Sequence, residues 1–117
     1  MRDHRKLKAF ELADKLALLT YSETKAFPRE EVFGLTSQLR RAGVSVPSNI
    51  VEGCARNTEK DYLRFLDDAY GSAKEVEYQA SLARRLSYLK TTHLEEAAAE
   101  VARVLNALIN SLRKGGD

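Results

Sequence analysis

The chain has 117 residues, of which 44% are hydrophobic and 31% charged, with a net charge of +2, two prolines and no tryptophan. This length suits one domain with a moderate core and leaves no room for a second catalytic domain. The composition excludes a low-complexity or disordered chain and is typical of a folded, helix-rich protein. We therefore expect residues 1–117 to form a single compact domain.

The sequence also indicates where the protein works. Residues 1–8 are charged, no apolar run behind them is long enough for a signal peptide, and no stretch approaches the ~18 apolar residues of a membrane span. Cys54 is the only cysteine, so a single chain can form neither a disulfide nor a cysteine metal cluster. These features predict a cytoplasmic protein with no membrane contact.

Apolar side chains recur every three or four residues, and turn residues divide this pattern into four helical segments. The predicted helices cover residues 8–26, 28–53, 59–88 and 93–113. Pro28 suits the first position of the second helix because it has no N–H to leave unpaired. Thr58 is a good N-cap for the third helix, and Thr92 with Glu95 matches a capping box for the fourth. The short connections predict an all-α fold, an up-down-up-down antiparallel four-helix bundle.

Pro47 lies inside the second predicted helix, where it removes the hydrogen bond to the carbonyl group of Gly43. Because glycine leaves space for the proline ring, this pair predicts a kink in the helix and not a break.

The residues that carry catalysis in helical bundles are missing from this pattern. A di-iron or di-manganese bundle needs Glu-x-x-His pairs on two helices, but the only histidines are His4, in the N-terminal tail, and His93, at the start of the last helix. Cys54 has no histidine or second cysteine near it in sequence, and no glycine-rich phosphate loop is present. We predict no catalytic residue, no metal site and no cofactor, and hence no enzyme.

A row of polar residues runs beside the apolar stripe of the second helix: Gln38, Arg41, Ser45, Asn49 and Glu52. Such groups are costly to desolvate without hydrogen-bond partners, so the row indicates a polar network at a helix or subunit contact. In a structural interpretation, Arg41 reaches Ser45, Glu52 pairs with Arg56, and Gln38 and Asn49 bond across the bundle.

A functional interpretation of the same region remains open. It joins seven basic residues into a surface that contacts phosphates when several subunits place their copies side by side: Arg40, Arg41, Arg56, Lys60, Arg64, Arg84 and Arg85. Nearby acids oppose this interpretation, because Arg64–Asp68 and Lys74–Glu77 pairs would neutralise part of the charge.

Two segments resemble a known family. FGLTSQLRRAGVSVPSNIVEG at Phe33–Gly53 and YLRFLDDAYGSAKEVEYQ at Tyr62–Gln79 are similar to the four-helix-bundle proteins encoded by intervening sequences of bacterial large ribosomal RNA genes. The resemblance implies a ring-like homopentamer whose molecular role is poorly established. It extends more distantly to nucleic-acid-binding accessory proteins of diversity-generating retroelements.

The resemblance also covers a small pair on the third helix, Gly71-Ser72, followed by Glu75. We expect the pair to let another helix pack closely, with Glu75 one turn later able to meet Arg41 or Asn49.

The leading hypothesis is a non-enzymatic homo-oligomer that binds RNA or single-stranded DNA through a basic surface formed by the ring. The alternative is a protein-interaction scaffold whose ring recruits a partner protein and makes no nucleic-acid contact.

Overall fold

The computed structural model describes residues 2–115, which form four helices and two short 3-10 turns. The helices are α1 (Lys8–Thr24), α2 (Leu35–Cys54), α3 (Glu59–Arg85) and α4 (His93–Gly115). Each helix packs against its neighbours in sequence, α1 closes against α4, and the diagonal pairs make no close backbone approach. The predicted all-α four-helix bundle is confirmed, with dimensions of 47 × 20 × 19 Å. Over residues 2–115, no helix combines the length and apolarity needed to cross a membrane.

Side-chain contacts show the register of α2 against α3. The Nε2 atom of Gln79 donates to Oε1 of Gln38 at 3.4 Å, and Oγ of Ser45 lies 2.9 Å from Oγ of Ser72. Seven residues forward along α2 therefore correspond to seven residues back along α3. The two helices are antiparallel and repeat their contacts every two turns.

Helices α3 and α4 are antiparallel in the same way. Arg84 pairs with Glu95 beside the connection between them, while Asp67 near the start of α3 pairs with Arg113 near the end of α4 at 2.7 Å. Consequently α1 and α3 begin, and α2 and α4 end, at one end of the bundle. The α1–α2 and α3–α4 connections lie at the opposite end.

Small side chains let α3 lie close to its neighbours. Ala69, Ala73, Ala80 and Ala83 are fully buried along its inner face. Larger apolar side chains from all four helices fill the space between them: Leu16, Leu39, Val46, Ile50, Leu66, Leu94, Val101 and Leu105. This alternation of small and large residues gives the core its packing.

Two glycines mark close contacts of α2. A Cβ atom on Gly43 would lie 2.9 Å from Oγ1 of Thr20 on α1, and one on Gly53 would lie 2.9 Å from Cβ of Phe65 on α3. Gly43 therefore makes room for a neighbouring helix, a role the sequence alone did not suggest. Pro47 lies within α2, which continues unbroken to Cys54, and the kink stays a prediction.

The predicted start of the second helix at Pro28 is wrong. Pro28 has an extended ψ of 145° and precedes a separate 3-10 turn at Arg29–Glu31. Gly34, with φ −112° and ψ −116°, lies outside the helical region, so α2 begins only at Leu35. Helix α1, which precedes this α1–α2 connection, ends at Thr24, two residues earlier than predicted.

The Glu31 carboxylate explains why α2 begins at Leu35. Its Oε1 atom accepts the backbone N–H of Leu35 at 3.0 Å, and its Oε2 atom accepts the Tyr88 hydroxyl at 3.0 Å. An acceptor at this position satisfies a free N–H of the helix and complements its positive end. The hydrogen bond to Glu31 also raises the pKa of Tyr88, and it ties together the two connections at this end of the bundle.

Helix α3 ends three residues earlier than predicted, in a Schellman motif. The N–H of Ser87 donates to the carbonyl of Arg84 at 2.9 Å, and that of Tyr88 donates to the carbonyl of Ala83 at 2.8 Å. The motif requires a left-handed residue, and Ser87 occupies that position with φ 68°. The predicted capping box of α4 is also wrong in detail, because Glu95 instead pairs with Arg84.

Replacing Ser87 by glycine is expected to raise the free energy of unfolding by about 1 kcal/mol, because glycine adopts a positive φ without the clash of a Cβ atom. Urea unfolding measures the change. Ser111, exposed in α4, provides a matched control: Ser111→Gly should lower the free energy of unfolding by about 0.5 kcal/mol. A loss of stability in Ser87→Gly would contradict the left-handed geometry.

Candidate nucleic-acid interface

Basic side chains crowd the end of the bundle where α1 and α3 begin. Three segments there, 2–8, 55–64 and 113–115, hold nine bases: Arg2, Arg5, Lys6, Lys8, Arg56, Lys60, Arg64, Arg113 and Lys114. Their three acids are Asp3, Glu59 and Asp61, so the segments carry +6. The rest of the chain has ten bases and fourteen acids, or −4. The net charge of +2 thus hides a local excess of positive charge, of which Glu11 and Asp67, just outside these segments, offset two charges by pairing with Lys8 and Arg113. We call these three segments the basic end.

The segment before α1 is held to the bundle by its second residue. The backbone N–H of Arg2 donates to the carbonyl of Cys54 at 2.8 Å, and its guanidinium bonds the Glu59 carboxylate at 3.1 Å. The same guanidinium lies 3.9 Å from the centroid of the Tyr62 ring. These contacts bring the N-terminal bases beside the α2–α3 connection, although 57 residues separate Arg2 from Glu59.

Asp3 shapes the chain between this anchor and α1. Its carboxylate accepts the backbone N–H of Arg5 at 3.0 Å and the Arg5 Nε at 2.9 Å, which caps the 3-10 turn at His4–Lys6. The Arg5 side chain lowers the pKa of Asp3 to about 2. Lys6, one residue on, forms no ion pair among residues 2–115 and is exposed.

Two arginines lie over one aromatic ring at the basic end. The guanidinium carbons of Arg56 and Arg64 are 5.1 and 4.6 Å from the centroid of the Phe65 ring. Arg56 donates to the backbone carbonyl of Glu52 at 3.2 Å, and not to its carboxylate as predicted. Arg64 lies 4.0 Å from the Asp61 carboxylate, so the predicted Arg64–Asp68 pair is not formed. Planar guanidinium groups held in this way can bond phosphate oxygens or stack on bases.

Ion pairs cover only part of the charge. Arg2, Arg5 and Arg113 have carboxylate partners within 3.1 Å, whereas Lys60 is exposed and has none among the described residues. Exposed pairs of this kind contribute little free energy, because water and salt screen them. A phosphate group can therefore compete for these bases at small cost.

The predicted bases on and after α2 do not all lie together. Arg40 lies 14 residues, or about 21 Å along the helix axis, before α2 ends at Cys54, and Arg56 lies beyond that end. Arg40 donates from Nε to Oγ1 of Thr24 at 2.8 Å and lies 4.6 Å from the centroid of the Tyr21 ring, which ties it to α1. Arg41 is exposed next to it. Both belong to the half of the bundle opposite the basic end.

The last two predicted bases also lie away from the basic end. Arg84 forms its ion pair with Glu95, which raises the pKa of the guanidinium further. Arg85 donates to the carbonyl and hydroxyl oxygens of Ser81, each at 3.3 Å. The seven bases predicted from the sequence therefore divide into one group of three at the basic end and one group of four near the other end.

Three members of the polar row, Gln38, Ser45 and Asn49, belong to two separate hydrogen-bonded groups beside α3. In the first, Nδ2 of Asn49 donates at 2.9 Å to both the carbonyl and the hydroxyl oxygen of Ser45, whose hydroxyl contacts Ser72. Arg41 makes no hydrogen bond to Ser45 in the described structure, and the Ser45 hydroxyl contacts Asn49 and Ser72 instead. Gly71, expected to receive another helix, faces open space.

The second group is centred on a residue that the sequence analysis missed. Gln79 is buried and donates to Oε2 of Glu75 at 3.1 Å as well as to Gln38. Its own Oε1 atom is buried without a hydrogen-bond partner in the described structure. Glu75 thus meets Gln79 on its own helix, in place of the predicted Arg41 or Asn49. The sequence signal that could have revealed Gln79 was a polar residue on the otherwise apolar face of α3.

The residues considered for catalysis, Cys54 and the two histidines, do not form one cluster. Cys54 is buried, and that burial raises the pKa of its thiol. The His4 ring packs edge-on against the Phe10 ring, with 4.6 Å between the ring centroids, while His93 is exposed at the start of α4. Within residues 2–115, no group of three or more His, Cys, Asp or Glu side chains is placed to hold a metal ion.

Comparison with known proteins identifies the family. A family model described as 23S rRNA-intervening sequence protein matches residues 5–110. The chain belongs to this family. The assignment made from the two sequence segments is therefore confirmed.

A solved structure supports the fold of this family member. It comes from Bacteroides thetaiotaomicron VPI-5482 and is described as a protein of unknown function from the S23 ribosomal protein family. It superposes with a TM-score of 0.76 at 21% identity, over 86% of this chain and 97% of its own. At this identity the likeness shows a common fold. No curated protein matches the chain, and neither the family description nor the solved structure names a reaction.

Proposed function

We propose that this 23S rRNA-intervening sequence protein is a non-enzymatic nucleic-acid-binding protein that contacts RNA or single-stranded DNA with its basic end. The observation that carries the proposal is the charge distribution: three short segments at one end of a 47 Å bundle carry +6, and pairing with Glu11 and Asp67 just outside them offsets two of these charges. A concentrated positive charge attracts the phosphate backbone and orients the protein toward it.

The side chains at the basic end suit a flexible single strand. Lys6 and Lys60 offer exposed ammonium groups for phosphates. Arg56 and Arg64 offer guanidinium planes, next to the half-buried Phe65 ring, on which unpaired bases can stack. Arg40, Arg41, Arg84 and Arg85 are not part of this proposal, because they lie near the other end.

Self-association would strengthen binding to a nucleic-acid strand. The family resemblance implies five copies in a ring, and this number stays a prediction. Copies related by rotation about one axis place their basic ends in equivalent positions, so a strand that contacts several copies gains avidity. RNA as the partner agrees with the cytoplasmic location predicted from the sequence.

A salt titration tests the proposal. Fluorescence anisotropy of a labelled single-stranded RNA or DNA of about 25 nucleotides should show binding at 50 mM salt. For about five phosphate contacts, the affinity should fall about 100-fold by 200 mM salt. No binding at 50 mM, or an affinity that salt does not change, would contradict the proposal.

The same titration separates the alternative function. A protein-interaction scaffold would bind no oligonucleotide at any salt concentration, and it would retain a partner protein through washes of high ionic strength.

A further inference from the structure

The connection between α1 and α2 carries an unusually exposed apolar side chain. Phe33 is 96% exposed, and Val32 beside it is 51% exposed. The segment is nevertheless fixed, because the N–H of Gly34 donates to the carbonyl of Glu31 at 2.9 Å and the Glu31 carboxylate holds Leu35 and Tyr88. Two neighbouring exposed apolar side chains on a fixed stretch of backbone form a candidate protein contact site.

A groove of about 470 Å³ lies close to this connection, between α1 and α2. Tyr21 and Val44 contribute apolar walls that are 44% and 41% exposed. Arg40 is fixed in the wall by its bond to Thr24 and its position over the Tyr21 ring. Phe33 of the same chain does not line the groove, so the groove is open to an aromatic side chain from outside.

Charge complements shape on these two surfaces. Exposed Glu30 stands three residues before Phe33, and exposed Arg41 lines the groove. Neither forms an ion pair among residues 2–115. An occupant that brings an aromatic side chain with an acid beside it therefore suits the groove, and the segment Glu30–Phe33 of a second copy has this composition.

We infer that Phe33 of one copy docks in the α1–α2 groove of the next copy, with Glu30 of the first facing Arg41 of the second. Val32 of the donor segment also lines the groove of its own chain, so the donor and acceptor surfaces adjoin, and the contact can close as a reciprocal pair of copies or propagate around a ring. This inference rests on the proposed self-association and does not require nucleic-acid binding. Docking at this end of the bundle leaves the basic end of every copy uncovered.

Mass measurement tests the docking. Size exclusion with light scattering, over protein concentrations from about 1 to 100 μM, should give the wild type a mass that is a multiple of 13.1 kDa. Phe33→Ser should raise the concentration for half-dissociation by about 30-fold or more, as expected for an aromatic anchor. Leu86→Ser removes an exposed leucine at the same end of the bundle and should leave the mass unchanged.

A charge swap tests the pairing of the two copies. Glu30→Arg and Arg41→Glu should each weaken assembly, and the double variant should restore it because the pair is rebuilt with reversed signs. A wild type of 13.1 kDa at every concentration would overturn the inference. An unchanged mass and dissociation in Phe33→Ser, or a double variant no stronger than the single ones, would also overturn it.

The two proposals fail separately. An oligomer that dissociates on Phe33→Ser but binds no oligonucleotide supports the docking and contradicts the nucleic-acid proposal. Salt-dependent oligonucleotide binding by a wild-type monomer supports the nucleic-acid proposal and overturns the docking.

Discussion

Reversing three charges at the basic end, in the triple variant R56E/K60E/R64E, should weaken oligonucleotide binding by about 100-fold or more at 50 mM salt. Each lost phosphate contact removes about 0.7 from the slope of log affinity against log salt for a single strand, so the slope should flatten by about 2. The new carboxylates add repulsion between the protein and the phosphates. Fluorescence anisotropy over a salt series measures both quantities.

A second triple variant is the matched control. K25E/R85E/K90E changes the net charge by the same amount at exposed positions at the opposite end of the bundle. It should reduce affinity by about threefold or less, because those positions are separated from the basic end by most of a 47 Å bundle and salt screens them. Equal losses in the two variants would show that total charge, and not the basic end, controls binding.

Removing the Tyr62 ring should cost more stability than any surface change. Tyr62 is 1% exposed and is the bulkiest of the fully buried side chains, and burial raises the pKa of its hydroxyl to about 12. It packs against the helix backbone at Gly53 and beneath the guanidinium of Arg2. Tyr62→Ala should therefore lower the free energy of unfolding by about 3 to 5 kcal/mol, measured by urea unfolding at one fixed protein concentration.

Two variants show which part of the tyrosine matters. Tyr62→Phe keeps the ring and should cost about 1 kcal/mol or less, since only the hydroxyl is lost. Tyr78→Ala removes a tyrosine that is 61% exposed on the same helix, and it should change stability by less than about 0.5 kcal/mol. A small effect of Tyr62→Ala would mean that the α2–α3 contact does not depend on this ring.

The bundle itself could be predicted because its signal is local. Apolar spacing repeats within each helix, so four helices and their buried faces follow from neighbouring residues. The helix ends were less accurate because distant residues contribute to them. Glu31 caps α2 while it bonds Tyr88, which lies 57 residues away, and no local pattern reveals that contact.

The candidate site could be predicted only in part for a related reason. Arg56, Lys60 and Arg64 are close in sequence and lie together at the basic end, whereas the sequence analysis joined them to four bases that lie near the other end. The N-terminal bases join them only through the antiparallel packing and the Arg2–Glu59 bond. The net charge of the whole chain therefore does not show the excess that the fold brings together.

The polar row shows the limit of arguments from spacing on a single helix. Arg41 and Ser45 are one turn apart, which favours a contact between them. In the bundle, the hydroxyl of Ser45 instead meets Ser72 across the helix interface. Partners on a neighbouring helix depend on register, which single-helix spacing does not contain.

Amide chemical-shift mapping with a single-stranded oligonucleotide at 50 mM salt tests the central claim most directly. We predict that the largest shifts fall in segments 2–8, 55–64 and 113–115 and disappear as salt is raised. Shifts concentrated around Arg84 and Arg85, or the absence of any shift at 50 mM salt, would contradict nucleic-acid binding by the basic end.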